Sequence, residues 1–194
     1  EQSAGMGVDM SQRVAMFEDS LTIMRQLWAG ETVNHDRFWG LENARIAPLP
    51  AKDIEVWIGA TAPAAINRTA RLAEGWLGTP SSTPQQAKEQ LNQYRQACAE
   101  HQRKPSAVAL RRDIFIGASV RQAEECRSPA LAKGYRGFPE DALICGDISQ
   151  VATQFAELFE AGFTDIIVRN MASDQGQALA TIEALSDVKR QLRL

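Results

Sequence analysis

The sequence predicts an α/β fold built on a parallel sheet, and three observations carry that prediction. Short apolar runs occur around residues 54–58, 76–78, 110–117 and 165–168. Each is followed by a segment whose apolar residues recur at helical spacing. The resulting order, one helix and then four strand–helix repeats, is that of βαβ units with parallel pairing. A doubly wound sheet and part of a (β/α)8 barrel both fit this order. Four strands are too few to close a barrel, which takes about 250 residues.

The first helix is expected over residues 11–29, where Val14, Phe17, Leu21, Met24 and Trp28 draw one apolar stripe. Asp9 or Ser11 can cap its start and Gly30 can end it. Residues 31–50 hold no sustained period and read as an excursion with short extended pieces, with Phe38 and Trp39 folded back on the body. The run Ile54 to Ile58 is nearly continuous in apolar residues, as expected of a strand covered on both faces. A helix over residues 63–73 turns Ile66, Ala70 and Ala73 inward and stops at Gly75. The second strand is very short, Trp76 to Gly78.

Thr83, Pro84 and Gln86 then combine an N-cap, an N1 proline and a capping-box glutamine. The helix they open carries Ala87, Leu91, Tyr94, Cys98 and His101 on one face. The third strand, residues 110–117, alternates Ile114 and Ile116 with polar neighbours. Helical character returns after Ser119 until Pro129 interrupts it, and residues 135–139 read as loop. Asp147 or Ser149 caps a helix bearing Val151, Phe155, Leu158 and Phe159, closed by Gly162. After the strand at 165–168, a last helix places Ile182, Leu185, Val188 and Leu192 on one side.

Composition removes several function classes. The 194 residues are 44% hydrophobic and 23% charged, the profile of a soluble globular protein long enough for a sizeable core. Net charge is −3 and the 21 basic residues are scattered, which argues against nucleic acid or an anionic membrane surface as partner. No apolar stretch approaches the roughly 20 residues of a membrane helix. Cys98, Cys126 and Cys145 are odd in number and widely spaced, which favours a reducing, cytoplasmic setting over a disulfide frame. With only His35 and His101 as histidines, no metal site is expected. Cys98 and His101 fit core packing, and His35 a solvated ring. Asn67-Arg68-Thr69 matches a glycosylation sequon but lies inside a helical pattern. No G-x-S-x-G or phosphate-loop motif occurs.

Three segments in order, "RVAMFEDSLTIMRQLWAGETV", "PLP…IEVWIGATAPAAINRTARLAEGWL" and "CGDISQVATQFAELFEAGFTDIIVRN", resemble the luciferase-like flavin- or F420-dependent oxidoreductases. The resemblance runs along nearly the whole chain. It implies a TIM-type (β/α)8 barrel, of which residues 1–194 form a single domain covering about the last four βα units. The chain is then expected to be a fragment or partial gene product, and pairing of its first strand with its last would contradict this. Three positions depart from the family pattern: Ala60 for a second glycine, Glu74 for aspartate and Ile148 for proline.

The turn Gly59-Ala60-Thr61 leaves a strand directly into a helix. Spacing alone allows a capped helix start with no ligand. The resemblance implies instead that Gly59, Ala60 and Thr61 meet the phosphate of FMN or the corresponding part of F420, with the Thr79 hydroxyl beside them. Trp76 reads as packing rather than a flavin stacker. Arg169 either faces the flavin or substrate or pairs with an acid such as Asp174. Arg111, Arg112 and Asp113 read as a surface ion pair, and no catalytic residue is identified.

The function implied is an oxidoreductase using reduced FMN and oxygen on a small organic substrate. The alternatives are F420-dependent hydride transfer and a truncated, non-catalytic flavin-binding fragment. Reduced flavin would come from a separate reductase, and the full-length protein would be a homodimer.

Overall fold

The computed structural model describes residues 9–192, which fall into two compact units divided after Ile54. In the first unit Asp9 accepts from the Ser11 amide at 2.9 Å and opens a 3-10 turn, Met10–Gln12, that runs into α1, Arg13–Trp28. Gly30, at φ +79, turns the chain out of the helix. The expected excursion is an antiparallel hairpin of β1, Val33–His35, and β2, Leu41–Ala44. Phe38 and Trp39 pack on His35 with ring centroids 6.2 Å away, and His35 Nε2 lies 3.3 Å from Asp19. The expected stripe of α1 is only partly used. Of its residues Leu21 is buried and Trp28 half-buried, whereas Val14, Phe17 and Met24 remain exposed; Ile23, outside the stripe, is buried as well.

The second unit alternates strands and helices. In order these are β3, Trp57–Gly59; α2, Pro63–Leu72; β4, Gly75–Gly78; α3, Pro84–Glu100; and β5, Ala107–Ile116. They continue with α4, Val120–Ala132; β6, Leu143–Gly146; α5, Ile148–Ala161; β7, Asp165–Asn170; and α6, Gln175–Leu192. Every strand pair is parallel. β4 pairs with residues 107–110 of β5, β6 with residues 113–116, and β7 with residues 109–114. The β7 register overlaps both others, so β7 takes one edge of β5 while β4 and β6 lie end to end on the other. Among the described residues β3 pairs only with β4 and β7 only with β5; the first strand does not meet the last.

The core lies between one sheet face and the helices. Trp76, Val108, Leu110, Ile114 and Ile116 pack there against α2, α3, α5 and α6. Strand alternation then sends Ala109, Arg111, Asp113 and Phe115 to the opposite face. The capping box of Thr83 with Gln86 opens α3 as expected; at α5 the cap is Asp147 rather than Ser149, and Gln150 completes a second box with it. Ile148 packs half-buried against the core, so an apolar side chain serves at that helix start.

Four expectations are corrected. β3 is an edge strand with Trp57 37% exposed, not a strand covered on both faces, since no second strand lies beside it among the described residues. Pro129 does not end α4: the helix continues to Ala132 although the proline lacks the N–H that would donate to the Glu125 carbonyl. Residues 143–146 form a fifth parallel strand in a segment that carries no periodicity. Ile182 points outward at 57% exposure, and Thr181 takes the inward place, bonding the Ile116 backbone.

Candidate functional site

Leu77 pairs with Gly59 on one side and Ala109 on the other, so the C-terminal ends of β3 and β4 are level with Ala109 and Leu110, in the first half of β5. Above them opens a cleft of about 420 Å³ lined by Gly59, Ala60, Thr61, Leu77, Thr79 and Arg111. The four residues expected at the site are thus brought together, from two loops. Thr61 and Thr79 also line an adjoining cleft of about 450 Å³ with Ser81 and Gln86.

Thr61 is not the cap of α2. The N-cap is Ala62, one residue later, and it makes no side-chain bond; Pro63 follows at N1. The Ala62 carbonyl already accepts from Ala65 and Ile66, both at 2.9 Å. Among the described residues no acceptor takes the Ala62 or Ala64 amide, which leaves these donors available at the positive end of the helix dipole. Gly59 has room beside it. A Cβ there would touch only the Leu77 carbonyl oxygen, at 3.8 Å, so the chain's own packing does not require glycine. The bare backbone leaves space for a ligand.

The turn is held from beneath. Trp76 is fully buried, and its indole N–H donates to the Ala60 carbonyl at 2.9 Å. Its ring lies between Tyr94 and Phe163, with centroids at 5.4 and 6.2 Å, which is the packing role expected of it. The second loop is held by its own contacts. The Thr79 hydroxyl is 3.1 Å from that of Ser81, and Ser82 Oγ donates to the Thr79 carbonyl at 2.9 Å. Arg112 donates to the Pro80 carbonyl at 3.4 Å. Glu74 accepts from the Val56 amide at 3.0 Å and pairs with Arg103 at 3.4 Å, so glutamate ties the starts of β3 and β4 together.

The segment Arg111-Arg112-Asp113 is not a surface ion pair. Arg112 and Asp113 are 1% and 0% exposed, on opposite faces of the central strand. Asp113 accepts from Arg111 at 2.9 Å and from the Tyr135 hydroxyl at 2.8 Å, and Arg169 stands 3.6 Å away. Arg169 therefore pairs with Asp113; Asp174 instead bonds the Gln177 amide at the start of α6. Burial pushes the Tyr135 phenol up to about 12, with the bond to Asp113 adding to the rise. Burial lowers Arg112 to about 10, so it remains charged near neutrality.

Asp113 and Tyr135 escape sequence reasoning because their partners come from three separated segments. The available signal was three consecutive charges inside an apolar strand, a placement that is stable only when they are paired. The donor set of the cleft, two hydroxyls, helix-start amides and one guanidinium, suits a phosphate group. It contains no paired nucleophile and base.

The model of the luciferase-like monooxygenase family matches residues 1–142. The F420-dependent glucose-6-phosphate dehydrogenase of Microbacterium testaceum (strain StLB037) is 32% identical over 81 residues, 41% of this chain and 24% of that relative. The monooxygenase RslO1 from Streptomyces bottropensis superposes with a TM-score of 0.80 at 18% identity, over 100% of this chain and 65% of the other. The FMN-bound oxygenating constituent of 3,6-diketocamphane monooxygenase from Pseudomonas putida gives 0.71 at 17% identity, over 95% and 66%. The chain thus spans about a quarter of the length of the curated relative and just under two thirds of these solved structures. Its sheet is an open arc of their (β/α)8 barrel, and the match over residues 1–142 shows that the chain belongs to the luciferase-like monooxygenase family.

Proposed function

We propose that this chain supplies the phosphate end of the cofactor site in an oxidoreductase that uses reduced FMN and oxygen on a small organic substrate. The observation that carries this reading is the convergence of Gly59, Thr61, Thr79 and Arg111 on one cleft at strand C-termini. Thr61 and Thr79 would donate hydroxyl hydrogen bonds to the phosphate. The Ala62 and Ala64 amides would add the helix-start dipole. Gly59 would let the backbone approach, with Trp76 fixing the carbonyl below. The reduced cofactor, when bound, supplies the electrons; the chain's residues bind it, orient it and keep water out. A separate flavin reductase and a homodimeric, cytoplasmic protein belong to the same proposal.

A second reading, F420-dependent hydride transfer, is favoured by the name of the Microbacterium testaceum relative. Both cofactors carry a phosphate, so the same cleft serves either.

Titrating the full-length protein with FMN and with F420 tests the proposal. FMN binding with oxygen uptake in the presence of a reductase is the expected result. Tight F420 binding without oxygen uptake selects the second reading, and binding of neither overturns both. Thr61→Ala and Thr79→Ala should each weaken the bound cofactor by roughly 10- to 100-fold, the range of a hydrogen bond to a charged group.

A further inference from the structure

Asp113 is fully buried on the central strand, yet it serves two arginines and a tyrosine at once. Arg111 approaches Oδ1, while Tyr135 and Arg169 approach Oδ2, so both carboxylate oxygens are engaged. The formal charges do not cancel. Two guanidinium groups face one carboxylate, and the Tyr135 phenol stays neutral, so the cluster carries one uncompensated positive charge. Arg111 also lines the cleft that holds Thr61 and Thr79. Its register explains this: Leu110 pairs with Gly78, which places Arg111 beside the loop that starts at Thr79. Its side chain is 28% exposed, so it is partly desolvated and still open to a ligand.

From this placement we infer that Arg111, aimed by Asp113, is the cationic ligand of the cofactor phosphate. The inference rests on the reading of the cleft as a phosphate seat and assigns its charge to a residue of the central strand. A guanidinium has five N–H donors in a fixed plane. One N–H directed at Asp113 fixes that plane and leaves the other edge for phosphate oxygens. Asp113 is a positioning residue and touches no ligand; Tyr135 completes the coordination of its second oxygen.

The experiment compares ligand pairs that differ only by phosphate: FMN against riboflavin, and F420 against its phosphate-free deazaflavin. Dissociation constants are measured on the full-length protein, using whichever pair the wild type binds more tightly. The wild type should prefer the phosphate-bearing member. Equal affinity for both members overturns the phosphate seat itself, and this inference with it. Arg111→Gln should lose roughly 10- to 100-fold in affinity for the phosphate-bearing ligand, the range of a charged hydrogen bond, and leave the phosphate-free one unchanged. Arg111→Lys should recover part of the loss. A variant that keeps the wild-type preference, or weakens both ligands equally, overturns the role of Arg111 while leaving the seat intact. Asp113→Asn should reduce the same preference, and Arg111→Gln/Asp113→Asn should be no less selective than Arg111→Gln alone. Additive losses of selectivity overturn the positioning role. Should Asp113→Asn fail to fold, Tyr135→Phe, which removes one of the bonds holding the carboxylate, carries the same comparison.

Discussion

The indole N–H of Trp76 donates to the Ala60 carbonyl across 2.9 Å, joining the centre of β4 to the turn that leaves β3. Ala60 belongs to the candidate site, while Trp76 sits among Tyr94, Phe163 and the α3 face. The position of the turn is therefore set by core packing. Trp76→Phe keeps an aromatic ring but leaves the buried Ala60 carbonyl without that donor and opens a small void. The expected loss is about 2–4 kcal/mol of unfolding free energy. Urea denaturation reads it, and a midpoint equal to wild type would mean that the bond contributes nothing.

Two glycines of the same strand should respond differently to one added methyl group. At Gly78 a Cβ would lie 2.8 Å from Leu110 Cδ1 and 3.3 Å from the Trp76 ring, and both neighbours are fully buried. Gly78→Ala should therefore cost about 1–3 kcal/mol through overpacking. At Gly75 the Cβ would meet Trp57 at 2.8 Å, but that ring is 37% exposed and can swing aside. Gly75→Ala is expected to cost less than about 1 kcal/mol. A reversed order of the two thermal midpoints would contradict this account.

Local chemistry was legible in the sequence where one segment contained the whole interaction. The capping box of Thr83 with Gln86, three positions apart, and the cap at Asp147 formed as read. The turn residues Gly59, Ala60 and Thr61 and the distant Thr79, which share one cleft, were grouped by the family resemblance; spacing alone read the turn as a bare helix start. Interactions decided by partners far along the chain were not legible. Asp113 finds Tyr135 22 residues later, which no spacing rule anticipates. Thr181 displaces Ile182 from the inner face because its hydroxyl can bond the Ile116 backbone, a preference invisible to hydrophobic periodicity. The strand at residues 143–146 exists because the far half of β5 offers an edge that β4 does not reach.

Tyr135 should leave a signature at high pH. Its phenol is raised from about 10 in an unfolded chain to about 12, through burial first and the bond to Asp113 second. A group with a raised folded-state value stabilises the fold below its unfolded value, and that contribution is lost as pH climbs through the folded one. Stability should thus fall between pH 10 and 12. Tyr135→Phe should be less stable than wild type at pH 8 and should lose less between pH 10 and 12. Identical slopes for the two proteins in chemical denaturation across that window would rule out Tyr135 as the titrating group.

The cysteines make a separate prediction about reactivity. Burial pushes all three thiols up, Cys145 to about 12, and Cys98 lies in the core beside Tyr94. Cys145 Sγ also contacts Met171 Sδ at 3.6 Å, which covers its approach. Since the thiolate is the nucleophile, a value near 12 leaves only about one part in ten thousand reactive at pH 8. Iodoacetamide at pH 8 should therefore alkylate Cys145 in the folded protein at least about 100-fold more slowly than in urea, where the thiol returns to its ordinary range. Peptide mapping after timed labelling separates the three sites, with Cys126 expected to react before Cys145 and Cys98. Rapid labelling of Cys145 under native conditions would show that this end of β6 opens readily and that its burial does not govern its chemistry.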